Sequence, residues 1–319
     1  MLKLLKSLLV VFLLNTLCSC ALPRLENRSV SSALSIVNAN DTRIGQALAP
    51  LLQAHPGQAG IYPLQDPLEA FAGRVALIRN AQRTIDIQSY LWRNDTTGNL
   101  MLNELLNAAD RGVRVRLLID DNGLAGLDAT LNALDSHPNI EVRLFNPFPI
   151  RKPKWLGYIT DFERVNRRMH NKTFTVDNQV TIAGGRNIGD EYFGATADNL
   201  FTDLDLLCIG KVVQDVSADF DAYWQSDSAY PVGKVLVPTE QAAIEQIRHD
   251  LSQLQESDPA ARYVIQARES AFFQKLLKGN LPLHWATARM VSDDPAKGLD
   301  QASREDYLVD ELRDFIGQP

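Results

Sequence analysis

Apolar positions along the first two-thirds of the chain switch period several times. Leu68, Phe71, Val75 and Ile78 recur at three- and four-residue steps, the stripe of an amphipathic helix. Asp66-Pro67 stands just before it, with Asp suited to the N-cap and Pro to the first turn. A short strand is predicted at 61–65 and a longer one at 84–92, TIDIQSYLW. Residues 100–109 then read as a helix closed by Arg111-Gly112, glycine being suited to the C-terminal cap. Residues 113–119, VRVRLLI, predict a strand stopped by Asp120-Asp121-Asn122-Gly123. A helix at 129–134 and a strand at 140–145, IEVRLF, follow. Strands alternating with helices predict an α/β domain: a mixed, mostly parallel sheet with helices on both faces.

The pattern changes at 170–187, HNKTFTVDNQVTIAGGRN. Strand-forming residues at 173–176 and 180–182 flank Asp177-Asn178, so a β-hairpin is expected. In a strand His170 and Lys172 would share a face, with Cα atoms roughly 7 Å apart. That span suits one phosphate, the imidazole on phosphorus and the ammonium on an oxygen. Gly184 and Gly185 leave backbone open to a close approach, and Asn187 adds a neutral donor.

Residues 146–169 form a long connection into this stretch. They hold Arg151, Lys152, Lys154, Arg164, Arg167 and Arg168, with Trp155 and Tyr158 between them. Such a segment can meet anionic lipid headgroups, or it can be a solvated loop. Beyond the hairpin, 199–210 predicts a strand, and 212–224 a helix with Val212, Val216, Phe220 and Tyr223 on one face. Residues 240–280 are helical and charged, with no catalytic constellation. Residues 286–292 predict a strand, followed by Asp294-Pro295 and a helix at 303–315. That order repeats the strand, Asp-Pro and helix of 61–78.

Composition narrows the function. The chain has 319 residues, 45% hydrophobic and 22% charged, which is enough for a buried core. A net charge of −7 argues against general attraction to nucleic acid. Cys18, Cys20 and Cys208 have no metal or disulfide spacing. Cys208 lies in an apolar run and reads as a buried thiol. Lys3 and Lys6 precede an apolar run that is short for a membrane span, so 1–20 reads as a secretory signal.

Six positions of the 170–187 stretch, H-x-K, then Asp, then G-G-x-N, resemble the HKD motif of the phospholipase D superfamily. The phrases AADRGVRVRLLIDDNG, VRLFNPF and DFDAYWQS are similar to that family too. GGRNIGDEYF at 184–193 is most similar to the bacterial cardiolipin synthases. Gly185 stands where the family commonly has serine, so a hydroxyl near the phosphate is missing. Its part falls to backbone N–H groups or is absent. LCSC at 17–20 resembles a bacterial lipobox, making Cys20 the lipidated residue. Ala21 after it points to the periplasmic face of the outer membrane rather than the inner one. The expected organisation is a signal at 1–20, a tether and short helix at 21–57, and a phospholipase D-like domain at 58–228. A helical linker and the start of an incomplete second domain are expected at 229–319.

The resemblance implies a metal-free, cofactor-free transfer through a phospho-histidine on a glycerophospholipid. His170 is the implied nucleophile, Lys172 the phosphate clamp, and Asn187 their neighbour. Asp177 completes the motif's catalytic set, although at a turn it is better placed to hold the hairpin. A carboxylate is needed on the other imidazole nitrogen. Asp203 is preferred over Asp205, with Glu191 as runner-up. The family joins two such motifs, one histidine attacking and the other moving protons, because a phosphorylated imidazole cannot do both. The second motif is expected from a missing C-terminal half or a second subunit. Phosphatidyl transfer giving cardiolipin is the favoured activity. Hydrolysis of a phospholipid or nucleic acid, and a silent lipid-binding half-enzyme, are the alternatives.

Overall fold

The computed structural model describes residues 22–196, 200–237, 243–277, 279–303, 308, 309, 312, 313 and 317. The signal and lipobox readings lie outside these residues, as does most of the helix expected at 303–315. Helices α1 (Ile36–Asn40) and α2 (Arg43–Ala54) lead into β1 (Ala59–Leu64) and α3 (Pro67–Asn80). Asp66 caps α3 as expected, accepting the Glu69 N–H at 2.9 Å. Strand β2 (Thr84–Leu91) is followed by α4 (Thr96–Asp110). This helix starts earlier than its apolar stripe suggests, because Asp95 caps it by accepting the Gly98 N–H at 2.9 Å. Then come β3 (Arg114–Gly123), α5 (Asp128–Asp135) and β4 (Ile140–Phe145), and short helices α6 (Trp155–Thr160) and α7 (Phe162–Val165).

The hairpin is present: β5 (Thr173–Val176) and β6 (Val180–Gly184) pair antiparallel. Its turn places Asp177 and Asn178 both at φ near +50°, a conformation these two residue types tolerate. Helix α8 (Asp190–Phe193), β7 (Asp205–Gly210), α9 (Val212–Gln225), β8 (Ala229–Pro231) and α10 (Val232–Val235) follow. Helices α11 (Ala243–Glu256), α12 (Asp258–Glu269) and α13 (Ala271–Leu277) and strand β9 (His284–Ala286) complete the described order, with a 3₁₀ turn at Pro295–Leu299.

One sheet runs in the order β8-β4-β3-β2-β5-β6-β7-β1-β9. It is mixed, as expected, but the expectation of mostly parallel strands is corrected. Only β2–β3 and β3–β4 pair parallel; every other pairing is antiparallel. The helical crossovers that parallel pairing needs end at β4, and a hairpin takes over after the long connection. The late strand is corrected as well. It pairs with β1 at 284–286, not at 286–292, and Asp294-Pro295 opens a 3₁₀ turn. Strand β7 starts at Asp205, later than expected.

The two faces of the sheet differ. One carries Ile85, Ile87, Val115, Leu117, Val142, Leu144, Phe174 and Ile182, buried beneath α3, α4 and α11–α13. The other buries charge. Arg116 grips both oxygens of Asp86, at 2.7 and 2.8 Å, and reaches Asp221 of α9 at 2.8 Å. Its guanidinium lies 4.8 Å from the Phe220 ring centroid, and that of Arg143 lies 4.2 Å from Trp224. The segment read as tether is docked on this face. Ser29, Ser31 and Ser32 give backbone carbonyls to Arg143, Arg116 and Arg114. The Arg116 and Arg143 side chains are buried, so there the carbonyls add acceptors where water does not reach; the Arg114 bond is exposed. No helix among the described residues is long and apolar enough to cross a membrane.

Candidate functional site

The three parallel strands deliver their C-terminal ends to one edge, where α/β sheets usually place ligands. A register shift between Ser89 and Leu91 presents Tyr90 there. From the end of β3, buried Asp120 accepts three N–H donors at 2.9 Å: Met169 N, Arg168 Nη1 and Asn122 N. Asp120 therefore anchors the two residues that lead into His170. Burial pushes its carboxyl up to about 6, against the pull of Arg168.

His170 and Lys172 lie just before β5, not within it, so strand alternation is not what brings them together. They converge on one aromatic ring instead. The His170 imidazole lies against Tyr90 in a tilted contact, with centroids 4.1 Å apart and planes 35° apart. Lys172 Nζ is 5.4 Å from the same centroid and donates to the His170 carbonyl at 2.6 Å. Both residues, with Gly184, line a cleft of about 670 Å³. It is lined as well by Arg168, Tyr223, 290–295 and Lys297. That volume holds a phosphate and its glycerol.

Electrostatics set the protonation states. Burial, then the charges of Lys172 and Arg168, hold the His170 pKa below its usual 6.5. Burial also lowers Lys172, while Asp203, Asp120 and Asp205 pull it back up. A neutral imidazole beside an ammonium is the state a phosphorus nucleophile needs. Only the neutral ring attacks, so a depressed pKa keeps His170 competent as pH falls, until the pH drops through a midpoint below 6.5. Lys172→Met removes one of the depressing charges and is expected to raise the His170 pKa. An NMR titration of the imidazole reads the shift; an unchanged or lower pKa would count against the field described.

The glycines have a different part from the one expected. The Gly184 N–H donates to Lys172 O at 3.3 Å and the Gly185 N–H to Leu204 O at 3.1 Å. Neither is left for a phosphate. What the glycines supply is room. A Cβ at Gly184 would meet Asp205 Oδ1 at 2.3 Å, and one at Gly185 would meet Asp203 Oδ1 at 2.1 Å. The serine common at the second position would displace Asp203, which explains glycine there.

The carboxylate candidates separate. Asp205 is fully buried and held by Arg74 at 2.8 Å and the Arg186 backbone N–H at 3.1 Å, a structural charge rather than a partner of His170. Glu191 is paired with Arg93 at 3.0 Å. Asp203 sits against Gly185 and is the foremost carboxylate acting on Lys172. Among the described residues no hydrogen bond reaches a ring nitrogen of His170. Asn187 is buried outside the cleft. Its carbonyl accepts the Leu91 N–H at 3.1 Å and pins the end of β2 beside Tyr90. Asp177 is at the opposite end of the hairpin from Lys172. Its carboxylate accepts from Gln82, Arg83 and Thr84 N–H at 2.9, 2.7 and 2.9 Å. Both oxygens are filled by backbone N–H groups at the start of β2, so the structure places Asp177 away from His170 and Lys172, in the hairpin-holding position expected of a turn residue.

The basic connection is corrected too. Five of its six cations are paired within the protein. Arg151 bridges Asp121 and Asp128, Lys154 reaches Asp121 at 3.0 Å, Arg164 reaches Asp161 at 2.6 Å, Arg167 reaches Asp300 at 3.0 Å, and Arg168 reaches Asp120. Burial works against it, yet Arg151 and Lys154 hold Asp121 below the usual carboxylate range. Beside exposed Lys152, Thr160, Glu163 and Asn166, the segment exposes three large apolar side chains: Trp155 at 59%, Ile159 at 70% and Phe162 at 57%. Tyr90 and Asp120 are the residues that sequence reasoning passed over. Their signal was position at the C-terminal ends of adjacent predicted parallel strands.

Residues 75–224 match the family described as cardiolipin synthase, PLD-like domain. Cardiolipin synthase C of Escherichia coli is 50% identical over 277 residues, covering 87% of this chain and 58% of its own. An uncharacterised protein of Helicobacter pylori is 37% identical over 261 residues, 80% of this chain and 51% of its own. The chain spans about half the length of these curated relatives. Among solved structures, NucT from Helicobacter pylori superposes with a TM-score of 0.41 at 16% identity, over 54% of this chain and 98% of that one. So distant a likeness says nothing about activity.

Proposed function

Since the chain is a cardiolipin synthase-like member of the phospholipase D superfamily, we propose that it serves phosphatidyl transfer between glycerophospholipids, forming cardiolipin. The observation that carries this reading is the cleft that gathers a neutral-leaning His170 and the Lys172 ammonium. The His170 nitrogen attacks the phosphorus of the donor lipid and forms a P–N bond, while the bond to the leaving alcohol breaks. The leaving alkoxide takes a proton from a second histidine. The acceptor lipid's hydroxyl returns a proton to that histidine as its oxygen displaces His170. Lys172 keeps two N–H donors for the phosphoryl oxygens after its bond to the His170 carbonyl. The second histidine belongs to a second motif, from a further part of the protein or a second copy.

Net charge of −7 and the exposed Trp155, Ile159 and Phe162 support a lipid over a nucleic acid. With the lipobox reading, Cys20 is the lipidated residue and holds the protein on the periplasmic face of a bacterial membrane, the outer rather than the inner. Lipid mass spectrometry of membranes from an expressing strain is expected to show a gain in cardiolipin. Free phosphatidate without that gain would mean hydrolysis, and an unchanged lipid profile would support the silent lipid-binding reading. In the same strain, Cys20→Ala is expected to lose labelling by radioactive fatty acid; equal labelling would remove the anchor.

A further inference from the structure

We propose that Tyr90 is a positioning residue for both His170 and Lys172, and that its ring is held in place by a hydrogen-bond chain to α6. This deepens the transferase reading and rests on it for its kinetic arm only. A nucleophilic imidazole must keep one nitrogen aimed at phosphorus. Among the described residues no hydrogen bond reaches either ring nitrogen, and what holds the ring there is contact. Tyr90 supplies that contact at a 4.1 Å centroid distance, restricting the rotation of the His170 ring. The negative face of the same ring attracts the Lys172 ammonium at 5.4 Å. One side chain therefore sets the spacing of nucleophile and clamp, which a strand would otherwise have set.

The platform is itself secured. The Tyr90 hydroxyl accepts from Asn122 Nδ2 at 3.2 Å, and Asn122 Oδ1 accepts from the Tyr158 hydroxyl of α6 at 2.9 Å. On the backbone side, Asn187 fixes Leu91, the next residue. The chain thus ties α6 and the end of β3 to the ring that His170 and Lys172 both contact. Loss of the ring should disturb where His170 points, while loss of the hydroxyl alone should merely loosen it.

The test uses the full chain with selectively labelled histidine and tyrosine. In the wild type, NOEs are expected between the His170 and Tyr90 ring protons; their absence would overturn the proposal without any variant. Tyr90→Leu is expected to raise the His170 pKa, because water reaches the uncovered ring face. It should also lower kcat by about 100-fold, with KM within about threefold, the cost of a misdirected reacting group. Tyr90→Phe and Tyr158→Phe keep the ring face. Each should leave the pKa in place and reduce kcat by less than about fivefold, and the double variant should be no worse than either, because both cut one chain. A Tyr90→Leu protein with wild-type kcat and His170 pKa would overturn the proposal. So would a Tyr90→Phe loss as large as that of Tyr90→Leu, which would place the hydroxyl on the substrate. If the wild-type chain turns over no phosphodiester even when a second motif is supplied, the transferase reading fails, while the NOE and the pKa still decide the role of Tyr90.

Discussion

His170→Ala is expected to remove phosphodiester turnover, a loss on the order of 10⁴-fold or more, while leaving the melting temperature unchanged. The size follows from the proposed role. The other polar groups of the cleft are already engaged or unsuited: Lys172 is a cation, Asn171 is an amide, Ser292 is bound to Asp219, Asp293 to Lys297, Asp294 to the Ala296 N–H, and the Tyr223 hydroxyl to the Asp293 carbonyl. The unchanged stability follows from the structure. The imidazole is covered on its Tyr90 side but the residue remains open to solvent, and no hydrogen bond from a described residue reaches its ring nitrogens, so its removal orphans no buried polar group. Lys172→Met should also be inactive, but through charge stabilisation, and its His170 should still form a slow adduct with an activated phosphodiester. Steady-state rates beside thermal melts check both variants. Activity of His170→Ala within tenfold of wild type would remove His170 from the nucleophile's role.

The legible parts of this protein are those whose determinants are close in sequence. Asp66-Pro67 reads as a helix start because cap and first turn are adjacent. The hairpin reads correctly because Asp177 and Asn178 suit the left-handed turn and the flanking residues favour strands. The obscured parts depend on distant partners. Arg116 and Arg143 alternate with apolar residues, a pattern that suggests a solvent-facing side of a strand. They are buried because α9 brings Asp221, Phe220 and Trp224, and the 28–34 segment brings carbonyls, from far along the chain. The basic connection looks available to anions for the same reason. Its partners Asp120 and Asp121 precede it by tens of residues, inside what reads as a mere strand stop, and Asp128 opens the next helix. The pairing of His170 with Lys172 is legible from their spacing, but the means of their convergence is not. A tyrosine at a bulged strand end, invisible to periodicity, takes the place of strand alternation.

Asp177→Ala is expected to destabilise the folded chain by about 3–5 kcal/mol, the largest stability effect of any single motif residue. Three backbone N–H groups at the start of β2 would lose their acceptor together, each leaving a donor that costs about 1–3 kcal/mol where water cannot reach it. The Thr84 donor is buried and carries the full cost; those of Gln82 and Arg83 are half-exposed and recover part of theirs from water. Alanine also tolerates the φ of +50° less well than aspartate. The effect spreads because β2 lies between β3 and β5, joining the parallel and antiparallel halves of the sheet. Asp177→Asn separates acceptor from charge. It keeps the turn conformation and one carbonyl oxygen for Arg83 and Thr84, loses the bond to Gln82, and should cost about 1–2 kcal/mol. Urea denaturation gives both values from the midpoint shift at unchanged slope. Where Asp177→Asn remains folded, its kcat should match the wild type, since the carboxylate is spent on β2. A folded Asp177→Asn protein with kcat reduced a hundredfold would return Asp177 to the chemistry.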